Sequence, residues 1–388
     1  MSCLVIGSGW HPDLFRAEIE ELIQPFELER IVNSSRIVSI DANKSDLDSK
    51  LISKLSRSGT LDELLYPSGW ISISKFSEEL DLQKDLIHHI SNWINSNLNH
   101  IESSSIAVRW MSINGGIKSI ESSVFAGYLG SVFVENGWSV DLEKPSTELM
   151  LILDGGCGIV CWGIRKITES PRIGWKERVA TERPFFKPIS LDPILAKVMV
   201  NLTGIQSSSE GYLCDPMCGT GGVLMEAALM DVPYVGIDFD NEMVLGSKEN
   251  LNWIHQTHNI TKSTGFVKHG NAMELNQVLT NFPELNICGY AFDPPYGRNS
   301  WQSEKGSELL SSVLEACNDQ VSSKIGVKLL CVLPWQSLNK QKENKSISLD
   351  NWNDICNMFE KTNWKIIDSF SIHVHGSMSR LLIRASNL

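Results

Sequence analysis

The chain lacks any long apolar run. Across its 388 residues, no stretch approaches the roughly 18 uninterrupted apolar residues that indicate a membrane-spanning helix. The first residues, Met1-Ser2-Cys3, also lack the basic and then apolar order of a secretory signal. We therefore expect a cytoplasmic protein with no membrane association.

Closely paired cysteines are also missing. The nine cysteines are an odd number, and no two of them stand in a Cys-x-x-Cys arrangement. Cys157 with Cys161, and Cys214 with Cys218, are each separated by three residues. This pattern disfavours both a disulfide framework and a zinc ribbon. We expect reduced thiols and no metal site.

Positive charge is scarce. The chain has 34 lysines and arginines against 46 aspartates and glutamates, a net charge of −12 at pH 7, which argues against a general nucleic-acid binder. Residues 165–187 are the exception, with seven cations against three glutamates. This segment predicts either a track for nucleic-acid phosphates or a solvated linker. The candidate phosphate-binding residues are Arg165, Lys166, Arg172, Lys176, Arg178, Arg183 and Lys187.

A glycine-rich run is the first motif that carries chemistry. Residues 211–215 are predicted to form a short buried strand, residues 223–230 a helix, and glycines lie between them. Such a unit places a nucleotide-like ligand beyond the carboxyl end of the strand. The run has no lysine for a β- or γ-phosphate, so an ATP loop is disfavoured. The candidate cofactor-binding residues are Asp215, Cys218, Gly219, Thr220, Gly221 and Gly222.

The next predicted strand, residues 234–238, ends at a second acidic residue, Asp238. A carboxylate at this position accepts hydrogen bonds from ribose hydroxyls, in a dehydrogenase as well as in a methyltransferase. The alternative is that Asp238 or Asp240 caps the helix that begins at Asn241. We assign the ribose to Asp238 and the helix cap to Asp240.

The tetrapeptide Asp293-Pro294-Pro295-Tyr296 follows another predicted strand. An amino nitrogen on a purine is a poor nucleophile because its lone pair is delocalised, and acceptors on Asp293 and the Pro294 carbonyl would localise that pair. The prolines stiffen the backbone so that the acceptors stay aimed, and Tyr296 offers a ring for stacking the target base. A plain turn is the alternative. After the glycine run, the tetrapeptide predicts an N-methyltransferase that uses S-adenosylmethionine.

Between these two motifs, a strand predicted over residues 265–270 leads to Asn271 and Ala272. Amino-methyltransferases often have an aspartate here, which accepts from the 6-amino group of the cofactor's adenine. Asn271 retains a carbonyl acceptor for that role. The alternative is an asparagine that only shapes a turn.

With these motifs, the chain resembles the archaeal and eukaryotic tRNA guanosine N2-methyltransferases that act at position 10. The resemblance rests on residues 293–297, on the lead-in over residues 183–193 and on the tail over residues 374–380. It implies S-adenosylmethionine as cofactor, tRNA as partner, and cofactor contacts from Phe186 and Ser190. It also implies a monomer, unless a small zinc-binding methyltransferase activator subunit is needed.

The resemblance and the order of predicted elements imply an α/β fold. Residues 1–60 are expected to form a ferredoxin-like module, and residues 61–164 a THUMP-like RNA-binding domain. Residues 165–187 are the basic linker. Residues 188–388 are expected to form a Rossmann-fold methyltransferase domain whose seven-stranded sheet ends in an antiparallel hairpin.

Other functions stay open as hypotheses. One is methylation of another RNA guanosine, of DNA adenine or of protein glutamine; the DNA and protein enzymes usually begin the tetrapeptide with asparagine. A catalytically silent RNA-binding subunit has no chemical need for the intact glycines, Asp238 and Asp293. A dehydrogenase leaves residues 293–296 unexplained. The number of methyl groups added and the identity of the substrate tRNAs are not specified by the sequence.

Overall fold

The structure is a computed structural model that describes most of the chain. The described residues are 2–24, 29–30, 34–41, 49–76, 81–98, 105–167, 174–188, 190–205, 211–261, 264–295, 304–336, 352–375 and 378–388. The chain divides into two compact units. The first unit comprises residues 1–16, 23–56 and 60–171, and the second comprises residues 17–22, 57–59 and 172–388.

The first unit is built on one sheet. Its strands are β1 (Ser2–Gly7), β2 (Glu29–Arg30), β3 (Ile37–Asp41), β4 (Leu61–Ser72), β5 (Ser105–Ile113), β6 (Ser139–Val140), β7 (Thr147–Asp154) and β8 (Ile159–Arg165). They lie in the order β2-β3-β1-β4-β8-β7-β5-β6. The helices between them are α1 (Pro12–Ile23), α2 (Ser49–Leu55), α3 (Leu82–Asn97) and α4 (Ser122–Glu135), and the middle of α1 is counted with the second unit.

Helix α3 illustrates how the local pattern produces the packing. Asp81 caps the helix by accepting a hydrogen bond from Lys84 N. Leu86, Ile90 and Ile94 recur at helical spacing and are buried in the core cluster that also contains Trp162 of β8. Burial of each such aliphatic side chain stabilises the fold by about 1.5–3 kcal/mol. The amphipathic pattern therefore determines both the helix and its buried face.

Strand β4 differs most from the prediction. The apolar pattern predicts a strand only from Trp70 onwards, whereas β4 begins at Leu61. Its pairings with β1 and with β8 both shift register between Leu65 and Ser68. Pro67 has no N–H to donate, and this irregularity accommodates it within a strand. Because β4 pairs with β1 on one side and β8 on the other, one sheet continues across the boundary expected at residue 60.

The second unit has the predicted methyltransferase topology. Its strands are β9 (Tyr212–Asp215), β10 (Tyr234–Asp238), β11 (Gly265–His269), β12 (Ile287–Phe292), β13 (Lys328–Gln336), β14 (Trp364–His375) and β15 (Met378–Asn387). Its helices are α5 (Pro193–Leu202), α6 (Gly222–Leu229), α7 (Asn241–Thr257), α8 (Leu275–Val278), α9 (Glu304–Val321) and α10 (Trp352–Lys361). The strand order is β11-β10-β9-β12-β13-β15-β14.

The first five strands in that order pair in parallel, and β15 is antiparallel to both of its neighbours. The predicted seven-stranded α/β sheet with an antiparallel edge hairpin is therefore confirmed. Buried aromatic residues fill the core beside this sheet and have their polar atoms satisfied. Trp364 Nε1 donates to Leu314 O at 2.9 Å, and the Tyr290 hydroxyl donates to Cys317 O at 3.0 Å.

The parallel strands place three carboxylates at one edge of the sheet. Strand β9 ends at Asp215, β10 ends at Asp238, and Asp293 directly follows β12. Because β9 lies between β10 and β12, the three residues stand on neighbouring strands. The carboxyl edge of an open α/β sheet is where such folds bind ligands.

Two further observations concern the whole described chain. No helix in the described ranges is long and apolar enough to cross a membrane. None of the nine cysteines, all of which lie in the described ranges, forms a disulfide bond. Burial raises the pKa of Cys3 to about 12, so this thiol stays protonated and packs as a small apolar side chain.

Candidate active site

The glycine run forms a tight loop between β9 and α6. Gly219 and Gly221 have φ values of +50° and +80°, in the left-handed region that favours glycine. A Cβ at Gly221 would lie 2.4 Å from Ser247 Oγ of α7, so the loop and that helix approach closely. A Cβ at Gly219 would meet nothing within 4 Å. Helix α7 thus supports one part of the loop, and another part borders open space.

Asp238 is bound to this loop. Its carboxylate accepts from Gly219 N at 2.8 Å and from Asp240 N at 2.9 Å. Asp240, in turn, caps α7 by accepting from Glu242 N at 2.8 Å. Burial raises the pKa of Asp238, and the two backbone hydrogen bonds oppose that rise. Of the two acidic residues, Asp240 therefore caps the helix, and Asp238 holds the loop beside the open space at Gly219.

Asp215 is the most deeply buried of the three carboxylates, with 2 % of its surface exposed. Burial raises its pKa well above the ordinary value, although the Met217 backbone N–H opposes this; the charges of Asp238 and Asp293 raise it further. The charges of Asp238 and Asp293 therefore act on Asp215 at the carboxyl edge, and a ligand that carries positive charge would offset them.

Asp293 lies opposite an arginine from the final hairpin. Arg380 of β15 places Nη2 3.8 Å from Asp293 Oδ2, and Arg380 is only 7 % exposed. Pro294 is buried beside it, whereas Tyr296 lies outside the described residues. The sequence presented Arg380 only as the last residue of the tail motif. Its pairing with Asp293 depends on the register of β15 against β13, which local patterns do not reveal.

Asn271 and Ala272 follow β11 at the same edge. Asn271 Oδ1 accepts from Met273 N at 3.1 Å and so caps the short 3₁₀ turn over Ala272–Glu274. A carbonyl oxygen has two lone pairs, so this turn role leaves one acceptor site for a ligand. Ala272 is buried. Phe239, which the sequence analysis missed, is 74 % exposed directly after Asp238. An aromatic residue next to the acidic strand end was the signal available for it.

Asn250 of α7 forms hydrogen bonds with both the lead-in segment, residues 183–193, and the glycine loop. The sequence did not predict this residue. Asn250 is fully buried, accepts from Phe185 N and donates to Phe185 O, each at 2.9 Å. It also donates to Thr220 O at 2.9 Å. The Ser190 hydroxyl lies 3.4 Å from Thr220 Oγ1, and Phe186 is 45 % exposed. One asparagine therefore positions the lead-in against the glycine loop.

Several cations of residues 165–187 bind acceptors within their own unit. Arg165 pairs with Glu63 at 2.6 Å and with Glu148 at 2.5 Å in the first unit. In the second unit, Lys187 Nζ lies 2.7 Å from Glu242. These partners compete with any phosphate for the same donors.

The two other arginines of this segment that the structure describes are buried. Arg178 pairs with Glu226 at 2.8 Å, and Arg183 donates to Arg178 O at 2.8 Å. Lys166 and Lys176 are exposed, with Lys166 Nζ 6.0 Å from the ring of Tyr66. Arg172 lies outside the described residues.

Comparisons with known proteins agree with this architecture. Residues 181–340 match the family described as UPF0020, RMKL-like, methyltransferase domain. The chain is 28% identical over 327 residues to a tRNA (guanine(10)-N2)-dimethyltransferase of Methanothermobacter thermautotrophicus, covering 83% of this chain and 86% of that protein. It is 32% identical over 253 residues to the protein of the same name from Pyrococcus abyssi, covering 65% of each. The crystal structure of TrmN from Thermus thermophilus superposes over 100% of both chains with a TM-score of 0.50 and 15% identity, which shows a shared fold.

The fold and the site thus define an S-adenosylmethionine-dependent methyltransferase. The predicted resemblance to the position-10 group is confirmed by the archaeal relatives.

The residues present fit this cofactor. S-adenosylmethionine has a sulfonium and an ammonium group, which suit an electronegative edge, and a ribose diol, which suits the Asp238 carboxylate. The positive φ values and the open space at Gly219 allow the loop backbone to approach a ligand closely.

Proposed function

We propose that this protein methylates the exocyclic 2-amino group of a guanosine in tRNA, with position 10 as the expected site. The product is N2-methylguanosine or, after a second transfer, N2,N2-dimethylguanosine. The names of the archaeal relatives support this substrate. The observation that carries the proposal in this chain is Asp293 at the carboxyl end of β12, on the strand next to the glycine loop.

Asp293 has the chemistry that guanine methylation needs. An ionised carboxylate only accepts hydrogen bonds, and the 2-amino group of guanine only donates them. Accepting these bonds draws the nitrogen lone pair out of the ring system and towards the methyl group. Arg380 attracts one carboxylate oxygen, and the prolines restrict the backbone, so Asp293 is held in place before the base arrives.

The cofactor supplies an electrophilic methyl group on a sulfonium. With the cofactor bound, its sulfonium would give up the methyl group to the amino nitrogen, and Asp293 would accept the proton that this nitrogen loses. Alignment of the nitrogen with the methyl group supplies much of the rate. Tyr296 is proposed to stack on the target guanine.

The cofactor residues of this proposal are those that border the loop and the electronegative edge. Asp238 takes the ribose hydroxyls, Asn271 and Ala272 border the adenine, and the exposed ring of Phe239 offers an apolar face for it. Phe186 and Ser190 belong to the segment that Asn250 fastens to the loop. The remaining proposed cofactor-binding residues are Asp215, Cys218, Gly219, Thr220, Gly221 and Gly222.

The tRNA-binding part of the proposal is assigned to the first unit and to the exposed cations. We propose a ferredoxin-like module over residues 1–60, a THUMP-like domain over residues 61–164 and a basic linker over residues 165–187. Within the linker, Lys166, Arg172 and Lys176 are retained as phosphate contacts. Arg165, Arg178 and Lys187 already pair with glutamates, which supports a structural role for them. The cytoplasm is the proposed compartment. A small zinc-binding activator subunit is a further proposed partner.

The decisive experiment identifies the modified nucleoside. Unmodified tRNA transcripts are incubated with the purified protein and isotopically labelled S-adenosylmethionine, and digested nucleosides are analysed by mass spectrometry. We expect labelled N2-methylguanosine or its dimethyl form. A transcript with adenosine at position 10 is the matched substrate control and should stay unlabelled. Label in DNA adenine, or no label in any nucleic acid, would refute the proposed substrate.

A further inference from the structure

Arg183 is a buried arginine next to the glycine loop. It is 5 % exposed, and its Nε donates to Arg178 O at 2.8 Å. Its Nη1 lies 3.4 Å from Thr220 Oγ1. Within the part of the chain that the structure describes, no carboxylate forms an ion pair with it. A buried guanidinium held only by neutral acceptors keeps an uncompensated positive charge.

The nearby buried glutamate is already used. Glu226 of α6 is 2 % exposed and takes two hydrogen bonds from Arg178, at 2.8 Å and 3.3 Å. Glu226 therefore forms its ion pair with Arg178 and not with Arg183. Burial lowers the pKa of Arg183; the charges of Glu226 and Asp192 oppose this, and the Arg178 charge adds to it. Neither carboxylate forms an ion pair with Arg183 in the described residues, so its guanidinium is available to bind an anion directly.

The guanidinium also borders the start of a helix. A Cβ at Gly222, the first residue of α6, would lie 3.4 Å from Nη1 and 3.9 Å from Nη2 of Arg183. The first N–H groups of a helix have no partner within the helix, and this end carries partial positive charge. A guanidinium and a helix N-terminus therefore meet beside the loop that is assigned to the cofactor.

We propose that Arg183 binds the carboxylate in the methionine part of S-adenosylmethionine. That carboxylate is the only anionic group of the cofactor, and an arginine bonds it through planar, charge-assisted hydrogen bonds. The inference deepens the proposed function and rests on its cofactor, not on the identity of the RNA. It also replaces the assignment of Arg183 to the RNA backbone, because a side chain so deeply buried does not reach a phosphate in solvent.

The test compares two ligands that differ by the carboxylate alone, S-adenosylhomocysteine and its decarboxylated form, by calorimetry. The wild-type protein is expected to bind the first about 10- to 100-fold more tightly, as for one charge-assisted contact. Arg183→Gln should remove most of that preference and leave the affinity for the decarboxylated ligand unchanged. Arg183→Lys, which keeps a charge but not the planar fork, should retain part of it. Lys248→Gln, which removes an exposed cation of α7, is the control and should change neither affinity.

Each outcome has one meaning. Equal affinities of the wild-type protein for the two ligands overturn the carboxylate site without any variant. Equal losses for both ligands in Arg183→Gln assign the residue to loop structure alone and also overturn the proposal. Unchanged affinity for the decarboxylated ligand shows that the variant is folded. Failure of the wild-type protein to bind S-adenosylhomocysteine contradicts the cofactor itself, whereas failure of the guanosine assay leaves this comparison intact.

Discussion

Carboxylates in the two sheets of the molecule have different partners and different pKa shifts. In the first unit, Glu148 of β7 accepts from Arg109 and Arg165, and Glu63 of β4 also accepts from Arg165. In the second unit, Asp215 and Asp238 lie at the carboxyl edge, and burial raises the pKa of both. The hydrogen bonds from the two arginines instead lower the pKa of Glu148, although burial opposes them.

This contrast separates structural charges from functional ones. Glu148 contributes to stability because two arginines bind it, whereas burial raises the pKa of Glu63 despite its pair with Arg165. Ionisation of Asp215 and Asp238 is unfavourable in the protein without ligand, because both carboxyl groups are desolvated and negative charges lie near each of them. Groups of this kind cluster at sites where a ligand supplies the missing partner. The predictions below test whether the two sets differ in this way.

The largest effect is expected at Asp293. Asp293→Ala should slow methyl transfer by about 10²- to 10⁴-fold, because a positioned acceptor is lost from the site. Asp293→Asn should slow methyl transfer less than Asp293→Ala, since the asparagine carbonyl still accepts a hydrogen bond. If Asp293 instead acts chiefly as the proton acceptor, both variants should slow methyl transfer equally. Single-turnover rates on one tRNA transcript separate the two cases, with Glu249→Ala, an exposed carboxylate of α7, as control. Near wild-type turnover of Asp293→Ala would remove Asp293 from catalysis.

A smaller effect is expected at Asp238. Asp238→Ala should weaken binding of S-adenosylhomocysteine by about 1–3 kcal/mol, because charge-assisted bonds to the ribose are lost. Affinity for tRNA should stay almost unchanged. Calorimetry with the ligand and a filter-binding assay with tRNA measure the two quantities, and Glu249→Ala again serves as control. Unchanged ligand affinity would show that Asp238 serves only to hold Gly219 and Asp240.

The last and smallest effect concerns the free energy of unfolding. Substitution of a carboxylate should lower it in the first sheet and raise it in the second. Glu148→Gln should lower the free energy of unfolding at neutral pH by about 1–3 kcal/mol, because Arg109 and Arg165 lose a charged acceptor. Asp215→Asn should raise that free energy, because a buried charge is removed. Because the pKa of Asp215 is raised, its folded-state carboxyl group keeps its proton to higher pH than in the unfolded chain, so this residue lowers stability as pH rises past the ordinary carboxyl range. The pKa of Glu148 is lowered, so this residue raises stability over the same range.

Urea unfolding of the ligand-free variants from about pH 2 to about pH 8 measures this difference. Both variants should approach the wild-type value at the acid end, where the carboxyl groups are protonated in either state. At neutral pH the two should lie on opposite sides of the wild-type curve. Destabilisation by Asp215→Asn at neutral pH would mean that its charge is compensated in the fold, and the contrast between the sheets would fail.

Much of the second unit follows from local sequence. Strand, glycine turn and helix are contiguous in the chain, so their order predicts the loop and the placing of Asp215. Asp238 and Asp293 follow because parallel strands bring their carboxyl ends to one edge. Strand β4 was predicted less well, because Pro67 interrupts its pattern and only the pairing partners on both sides show that the strand continues.

The sequence by itself determined the class of domain, the carboxylates at its edge and the family resemblance, because short contiguous motifs encode them. Tertiary structure decided which charged and polar side chains meet. Arg178 and Glu226 are 48 residues apart, and Phe185 and Asn250 are 65 apart. Such contacts form only when α6 and α7 pack beside the lead-in segment, so composition alone left residues 165–187 as either a phosphate track or a solvated linker. The fold instead buried Arg183 beside the glycine loop, because pairs in the low-dielectric interior depend on geometry and not on distance along the sequence.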